Sequence, residues 1–239
     1  MESRSLLGPC NIQGVLFDLD NTLYDRDLAF EKWARAFVEE QFPAESEAYR
    51  AETLAQIIAI DAHGYVTKQV LFTQVRALYP AVTLDVDTLC ERFYQEWLVY
   101  MTLDSETETL LDALASAGIP FGIITNGPPQ QHLKIDQLGL RSRTHCLFIS
   151  AEFGCNKPDP AIFQAAASCL GLLCEQILFV GDNPEADICG AHAVGMTTAW
   201  RHWGNTWPAA IPHVQPDYVI ESLGELLSDT RLCIPDGDG

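Results

Sequence analysis

Positive charge is scarce in this 239-residue chain: fourteen Lys and Arg stand against thirty-three Asp and Glu, a formal net charge of -19. Such a field repels polyanions and anionic bilayers, which excludes nucleic acid polymers and membrane surfaces as partners. Long apolar runs are missing as well. No window approaches the roughly 18 apolar residues of a membrane span, and the opening MESRSLLGPCNIQG lacks the apolar stretch of a signal peptide. The eight cysteines (Cys10, Cys90, Cys146, Cys155, Cys169, Cys174, Cys189 and Cys233) form no CxxC pair and have no His-rich neighbourhood of zinc-site spacing. They read as small core residues in a reducing cytoplasm. There is no internal repeat and no low-complexity linker.

What the chain has is a core. Apolar residues make up 48% and aromatic residues 10%, enough for a main domain that carries a smaller one. Short, continuously apolar runs end in polar residues: Val15-Leu16-Phe17 at Asp18, Pro120 to Ile124 at Thr125-Asn126-Gly127, Leu147 to Ile149 at Ser150, Ile177 to Val180 at Gly181-Asp182, and Thr197 to Trp200 at Arg201. Continuous runs predict strands covered on both faces. Helical spacing fills the gaps over Thr107–Ala117, Gln130–Leu138, Pro160–Leu170 and Glu185–Val194, each followed by glycine. Strand–helix alternation predicts an α/β fold, a doubly wound parallel sheet of Rossmann-like type with function at the C-terminal strand ends.

One stretch breaks the alternation. From about Leu28 to Tyr100 the pattern is helical, with stripes Phe30, Trp33, Ala34, Phe37, Val38 and Val70, Leu71, Val75, Leu78, Tyr79. The predicted organisation is therefore a core of residues 1–24 and 104–239 and an all-helical insertion, 25–103. Leaving the core directly after the first acidic loop, the insertion is expected to act as a hinged lid. A loose tail is expected from about Ile234 to Gly239.

The acids require an account. Asp18 and Asp20 flank Leu19 at the end of the first strand, and Asp182 and Asp187 lie at and beyond a later one. Carboxylates a few ångströms apart raise one another's pKa values, and a hard cation offsets this; oxygen-only ligands with open positions favour Mg2+ over zinc. Thr125 offers a hydroxyl beside the amides of Asn126 and Gly127, next to a helix expected near Pro128, an arrangement suited to an anion. Lys157, ahead of Pro158-Asp159-Pro160, supplies local positive charge against the global field.

These residues carry a resemblance. Asp18-Leu19-Asp20-Asn21-Thr22, Thr125-Asn126-Gly127, Lys157-Pro158-Asp159-Pro160 and Gly181-Asp182-Asn183-Pro184-Glu185-Ala186-Asp187 occur in the order of the four motifs of the haloacid dehalogenase-like hydrolases, in the branch with a helical cap after the first motif. The resemblance implies that Asp18 is the nucleophile, forming an aspartyl-phosphate, and that Asp20 is the acid and base, with a raised pKa. It implies a metal held by the Asp18 side chain, the Asp20 carbonyl and Asp182, supported by Asp187 and Asn183, and a phosphate gripped by Thr125, Asn126 and Lys157. Tyr24, Arg26 and Gly127 are candidate substrate contacts. The expected activity is a Mg2+-dependent phosphatase of a small phosphorylated metabolite: a nucleoside monophosphate, a sugar phosphate or phosphoglycolate. The expected assembly is a monomer or homodimer.

Each motif alone has a structural explanation: Thr125-Asn126-Gly127 as a turn, Lys157 as a loop lysine, Asp182 or Asn183 as a helix cap. Their joint occurrence argues against these. Trp200, Trp203 and Trp207 read first as packing residues and second as an edge of the site. Rival functions are a phosphomutase, a dehalogenase, which needs no metal and lacks the second acid, and a phosphate-binding or phospho-receiver protein, which has no insertion after the first strand.

Overall fold

The computed structural model describes residues 12–228. Cys10, Cys233 and the tail expected after Ile234 lie outside them. Cα packing divides the chain into two compact units, one running through Tyr24 and again from Leu103, the other Asp25–Thr102.

The first unit is built on strands β1 (Gly14–Phe17), β2 (Phe121–Thr125), β3 (Cys146–Ile149), β4 (Ile177–Gly181), β5 (Thr197–Arg201) and β6 (Tyr218–Ile220). They form one parallel sheet in the order β3-β2-β1-β4-β5-β6. All residues of β1, β2 and β4 are buried, as their continuous apolar runs require. β6 was not foreseen: three residues on the sheet edge, with Val219 exposed, give too short a signal to separate from a loop. The order reverses at β1, whose neighbours are β2 and β4, so the crevice beyond the carboxyl ends of these strands is the switch point where open α/β sheets bind ligands.

The second unit holds α1 (Arg26–Gln41), α2 (Glu47–Asp61), α3 (Lys68–Leu78) and α4 (Val86–Glu96). Each opens on a side-chain cap: Asp25, Ser46, Thr67 and Asp85 accept from the backbone N–H of Leu28, Tyr49, Val70 and Thr88. Phe93 is the hub of its core, with the rings of Trp33 and Trp97 at 4.7 and 4.9 Å and those of Phe30 and Phe72 at 6.2 Å. The first predicted stripe is buried throughout. In the second, Leu71, Val75 and Tyr79 are buried, whereas Val70 and Leu78 are exposed because they fall off the i, i+4, i+8 line that the other three share.

Returning to the sheet, α5 (Ser105–Ser116), α6 (Gln131–Gln137), α7 (Ser150–Phe153), α8 (Pro160–Leu170), α9 (Gly190–Ala193) and α10 (Glu225–Ser228) complete the fold. α8 packs on β4 through the Phe163 and Phe179 rings, 5.1 Å apart. The helix expected over Glu185–Val194 is instead a π-helical turn, Pro184–Cys189, followed by α9. Among the described residues the six cysteines are free thiols, and no helix is long and apolar enough to cross a membrane.

Replacing Phe93 with alanine removes the ring at the centre of the helical unit. The expected loss is about 3–5 kcal/mol, read as a lowered urea midpoint.

Candidate active site

Asp18 follows β1 directly, and Asp182 follows β4, its hydrogen-bonded neighbour. Asp187 comes from the π-helical turn. Gly181 makes room for it, because a Cβ at Gly181 would lie 2.5 Å from the Asp187 Cβ. Oxygen atoms of Asp18, Asp182 and Asp187 all lie within 4.8 Å of one another. Asp187 Oδ2 accepts from the Asn183 N–H at 2.9 Å, and Asn183 Oδ1 caps the turn by accepting from the N–H groups of Glu185 and Ala186.

One ammonium serves this cluster. Lys157 Nζ donates to Asp18 Oδ1 at 2.5 Å and to the Ile124 carbonyl at 2.8 Å, and it lies 2.6 Å from Asp187 Oδ1. That last approach is an ion pair whose alignment leaves Asp187 Oδ1 without a hydrogen bond among the described residues. Lys157 is 4% exposed, and its placement is fixed from behind: Asn126 Oδ1 accepts from its N–H at 2.8 Å and Asn126 Nδ2 donates to its carbonyl at 3.0 Å. The side chain of Asn126 thus holds Lys157. Gly127, whose amide was expected to face an anion, donates its N–H to Ser150 Oγ at 3.0 Å, and the helix expected near Pro128 begins at Gln131.

The electrostatics follow from this crowding. Burial pushes the Asp18 carboxyl up, Lys157 pulls it down, Asp187 pushes it up again, and the balance lies at about 7. Asp182 is raised well above the usual carboxylate range by burial and by the charges of Asp18 and Asp187. For Lys157, burial lowers the pKa, but Asp18 and Asp187 outweigh it and raise it. An oxygen-only, buried or half-buried, mutually repelling donor set with a carboxylate oxygen lacking a hydrogen bond among the described residues fits a hard divalent cation.

Asp20 has a different environment. Tyr24 donates its hydroxyl to Oδ1 at 2.5 Å, Lys134 Nζ donates to both oxygens at 2.6 and 2.7 Å, and Gln131 Nε2 donates to Oδ2 at 2.8 Å. Burial would raise this carboxyl, but the Lys134 charge and the bonds from Gln131, Lys134 and Tyr24 outweigh it and hold it at about 2. A raised pKa had been expected. The difference comes chiefly from the cation and amide delivered by α6, which sequence reasoning missed, with the Tyr24 hydroxyl adding to them. The signal was there in the i, i+3 spacing of Gln131 and Lys134 just after Thr125-Asn126-Gly127.

Thr125 closes β2 and is buried, accepting from Gln131 Nε2 at 2.6 Å. Arg26 is placed differently from Tyr24. Its guanidinium pairs with buried Asp61 inside the helical unit and lies over the Phe30 ring, because Asp61 draws both Arg26 and Lys68. Trp203 donates its indole N–H to the Asn21 carbonyl at 2.6 Å, and Arg201 donates to the Thr22 carbonyl at 2.6 Å, so the β5 exit braces the loop after Asp18.

The doubly wound sheet thus gathers an aspartate triad and a buried lysine at its switch point. Residues 12–195 match the haloacid dehalogenase-like hydrolase family, and the chain belongs to that family. It is similar to a phosphoserine phosphatase of Thermus thermophilus, 33% identical over 139 residues, 58% of this chain and 55% of that protein. It is also similar to a glyceraldehyde 3-phosphate phosphatase of Methanopyrus kandleri, 29% identical over 92% of this chain and 97% of that one. Among solved structures, a HAD phosphatase from Thermococcus onnurineus shares the fold, with a TM-score of 0.60 and 24% identity over 91% of this chain and 97% of its own.

In the metal-free protein the raised Asp18 pKa makes a stability prediction. Native Asp18 holds its proton up to about 7 while the unfolded chain releases it near 3.8, so this contribution is present below 3.8 and lost as pH rises through 7. In chelator, Asp18→Asn is therefore expected to gain Tm relative to wild type between pH 4 and about pH 7. A Tm difference that stays flat across a pH series in differential scanning calorimetry would contradict this.

Proposed function

We propose that this hydrolase is a magnesium-dependent phosphatase of small phosphate monoesters and that its reaction passes through an aspartyl-phosphate on Asp18. The observation that carries the reading is the meeting, at adjacent strand ends, of Asp18 with Lys157 and of Asp20 with Thr125 through Gln131. Asp18, the Asp20 carbonyl and Asp182 would hold the cation, with Asp187 and Asn183 supporting; when bound, the cation neutralises phosphoryl charge and favours ionised Asp18.

Asp18 attacks phosphorus, and the electron pair of the breaking P–O bond leaves with the ester oxygen, which takes a proton from Asp20. A water then gives its proton to Asp20 as its oxygen attacks phosphorus, releasing inorganic phosphate and restoring the Asp18 carboxylate. Lys157, held by Asn126, and the Thr125 hydroxyl bear on the phosphoryl oxygens. The inserted helical unit serves in this reading as the lid that selects the leaving group. The substrate class comprises nucleoside monophosphates, sugar phosphates and phosphoglycolate; the names of the relatives add phosphoserine and glyceraldehyde 3-phosphate to the panel worth testing.

Phosphate release from that panel is expected with Mg2+ and not in chelator, and Asp18→Asn is expected to abolish it in a folded protein. Lys157→Ala should lower kcat/KM by about 100- to 1,000-fold. Wild-type turnover by the Asp18 variant, or release indifferent to chelator, would defeat the proposal.

A further inference from the structure

Gln131 and Lys134 lie three residues apart on α6 and present their polar ends to the same carboxylate. Gln131 is 3% exposed and its Nε2 makes two bonds, to Asp20 Oδ2 at 2.8 Å and to Thr125 Oγ1 at 2.6 Å. An ionised carboxylate only accepts, so the amide end that faces it is the nitrogen. Thr125 Oγ1, accepting from that nitrogen, keeps its own proton to donate elsewhere. Lys134 Nζ reaches both Asp20 oxygens and so fixes the plane of the carboxylate as well as its position. The packing leaves little freedom: a Cβ at Gly127 would lie 2.9 Å from Gln131 Cγ, so the glycine after Asn126 is what admits the Gln131 side chain.

We propose that Gln131 and Lys134 are positioning residues that hold Asp20 at the bond to be broken and aim the Thr125 hydroxyl at the phosphoryl group, locking acid–base and phosphate contact into one unit. The inference rests on the phosphatase reading. Within it, Asp20 gives its proton to the ester oxygen as the P–O bond breaks and later takes one from water. Its transfer distance is set by Lys134 and Gln131, while the proton of Thr125 is directed outward by Gln131. A residue that only stabilised the fold would affect every substrate alike; one that positions the acid affects a leaving group in proportion to its need for a proton.

The test compares two substrates in Mg2+: p-nitrophenyl phosphate, whose leaving group departs without a proton, and the best alkyl phosphate of the panel, whose leaving group requires one. Lys134→Met and Gln131→Met are expected to lower kcat/KM on the alkyl ester by about 100-fold or more and on the aryl ester by no more than about tenfold. Gln131→Met should also weaken inhibition by inorganic phosphate, whereas Lys134→Met should leave it near wild type, because only Gln131 touches Thr125 among the two. Equal losses on both esters, or no loss on either, would overturn the inference while leaving an active wild type and its mechanism intact. A wild type that releases phosphate from neither ester would overturn the phosphatase reading and this inference with it. If buried Gln131→Met fails to fold, the ester comparison with Lys134→Met, at a partly exposed position, decides alone.

Discussion

Three buried or half-buried carboxylates share one buried ammonium at the centre of this sheet, and the surrounding structure is arranged around that imbalance. Lys157 cannot leave: its head is bonded to Asp18 and the Ile124 carbonyl and its backbone to Asn126. Nor can the acids spread apart, because β1 and β4 are adjacent and the π-helical turn after Asp182 brings Asp187 back against Gly181. An unpaired buried charge is costly; burial and mutual repulsion raise the Asp18 and Asp182 carboxyls, and the same oxygens offer a site for a hard cation. In the proposed reaction the same arrangement would let a chain of formal charge -19 bind a small anion, through the local charge of Lys157 and a bound cation.

Much of this was legible in the sequence, for a definite reason. Strands β1, β2 and β4 are covered on both faces, so Val15-Leu16-Phe17, Phe121 to Ile124 and Ile177 to Val180 had to be continuously apolar and had to stop where the crevice begins. The first residue with a polar side chain beyond each stop is then a site candidate by position, which is how Asp18, Thr125 and Asp182 could be picked out. What stayed illegible depends on side-chain direction. Asn126 reads as a phosphate-binding position through its backbone amide; that its side chain also bonds the Lys157 backbone, 31 residues on in sequence, is announced by no local pattern. Arg26 adjoins the first acidic loop in sequence, yet its head is drawn to Asp61, which no local pattern announces. Gln131 and Lys134 lie within the helix predicted over Gln130–Leu138 and register in the sequence only as its periodicity, although a helix that starts six residues after Thr125 returns one face toward that residue.

The two aspartates of the first motif show how environment divides labour between like groups. Asp18 and Asp20 are separated by one residue, yet the resting protein holds one at about 7 and the other at about 2. Asp18 faces other acids; Asp20 faces Lys134, Gln131 and Tyr24. For the proposed reaction this is the reverse of what chemistry needs, since a nucleophile must be ionised and an acid must carry a proton. The inversion has a physical remedy that needs both ligands. Beside a divalent cation Asp18 would ionise, and beside a phosphate dianion Asp20 would be driven toward its protonated form, because opposite charge favours ionisation and like charge opposes it.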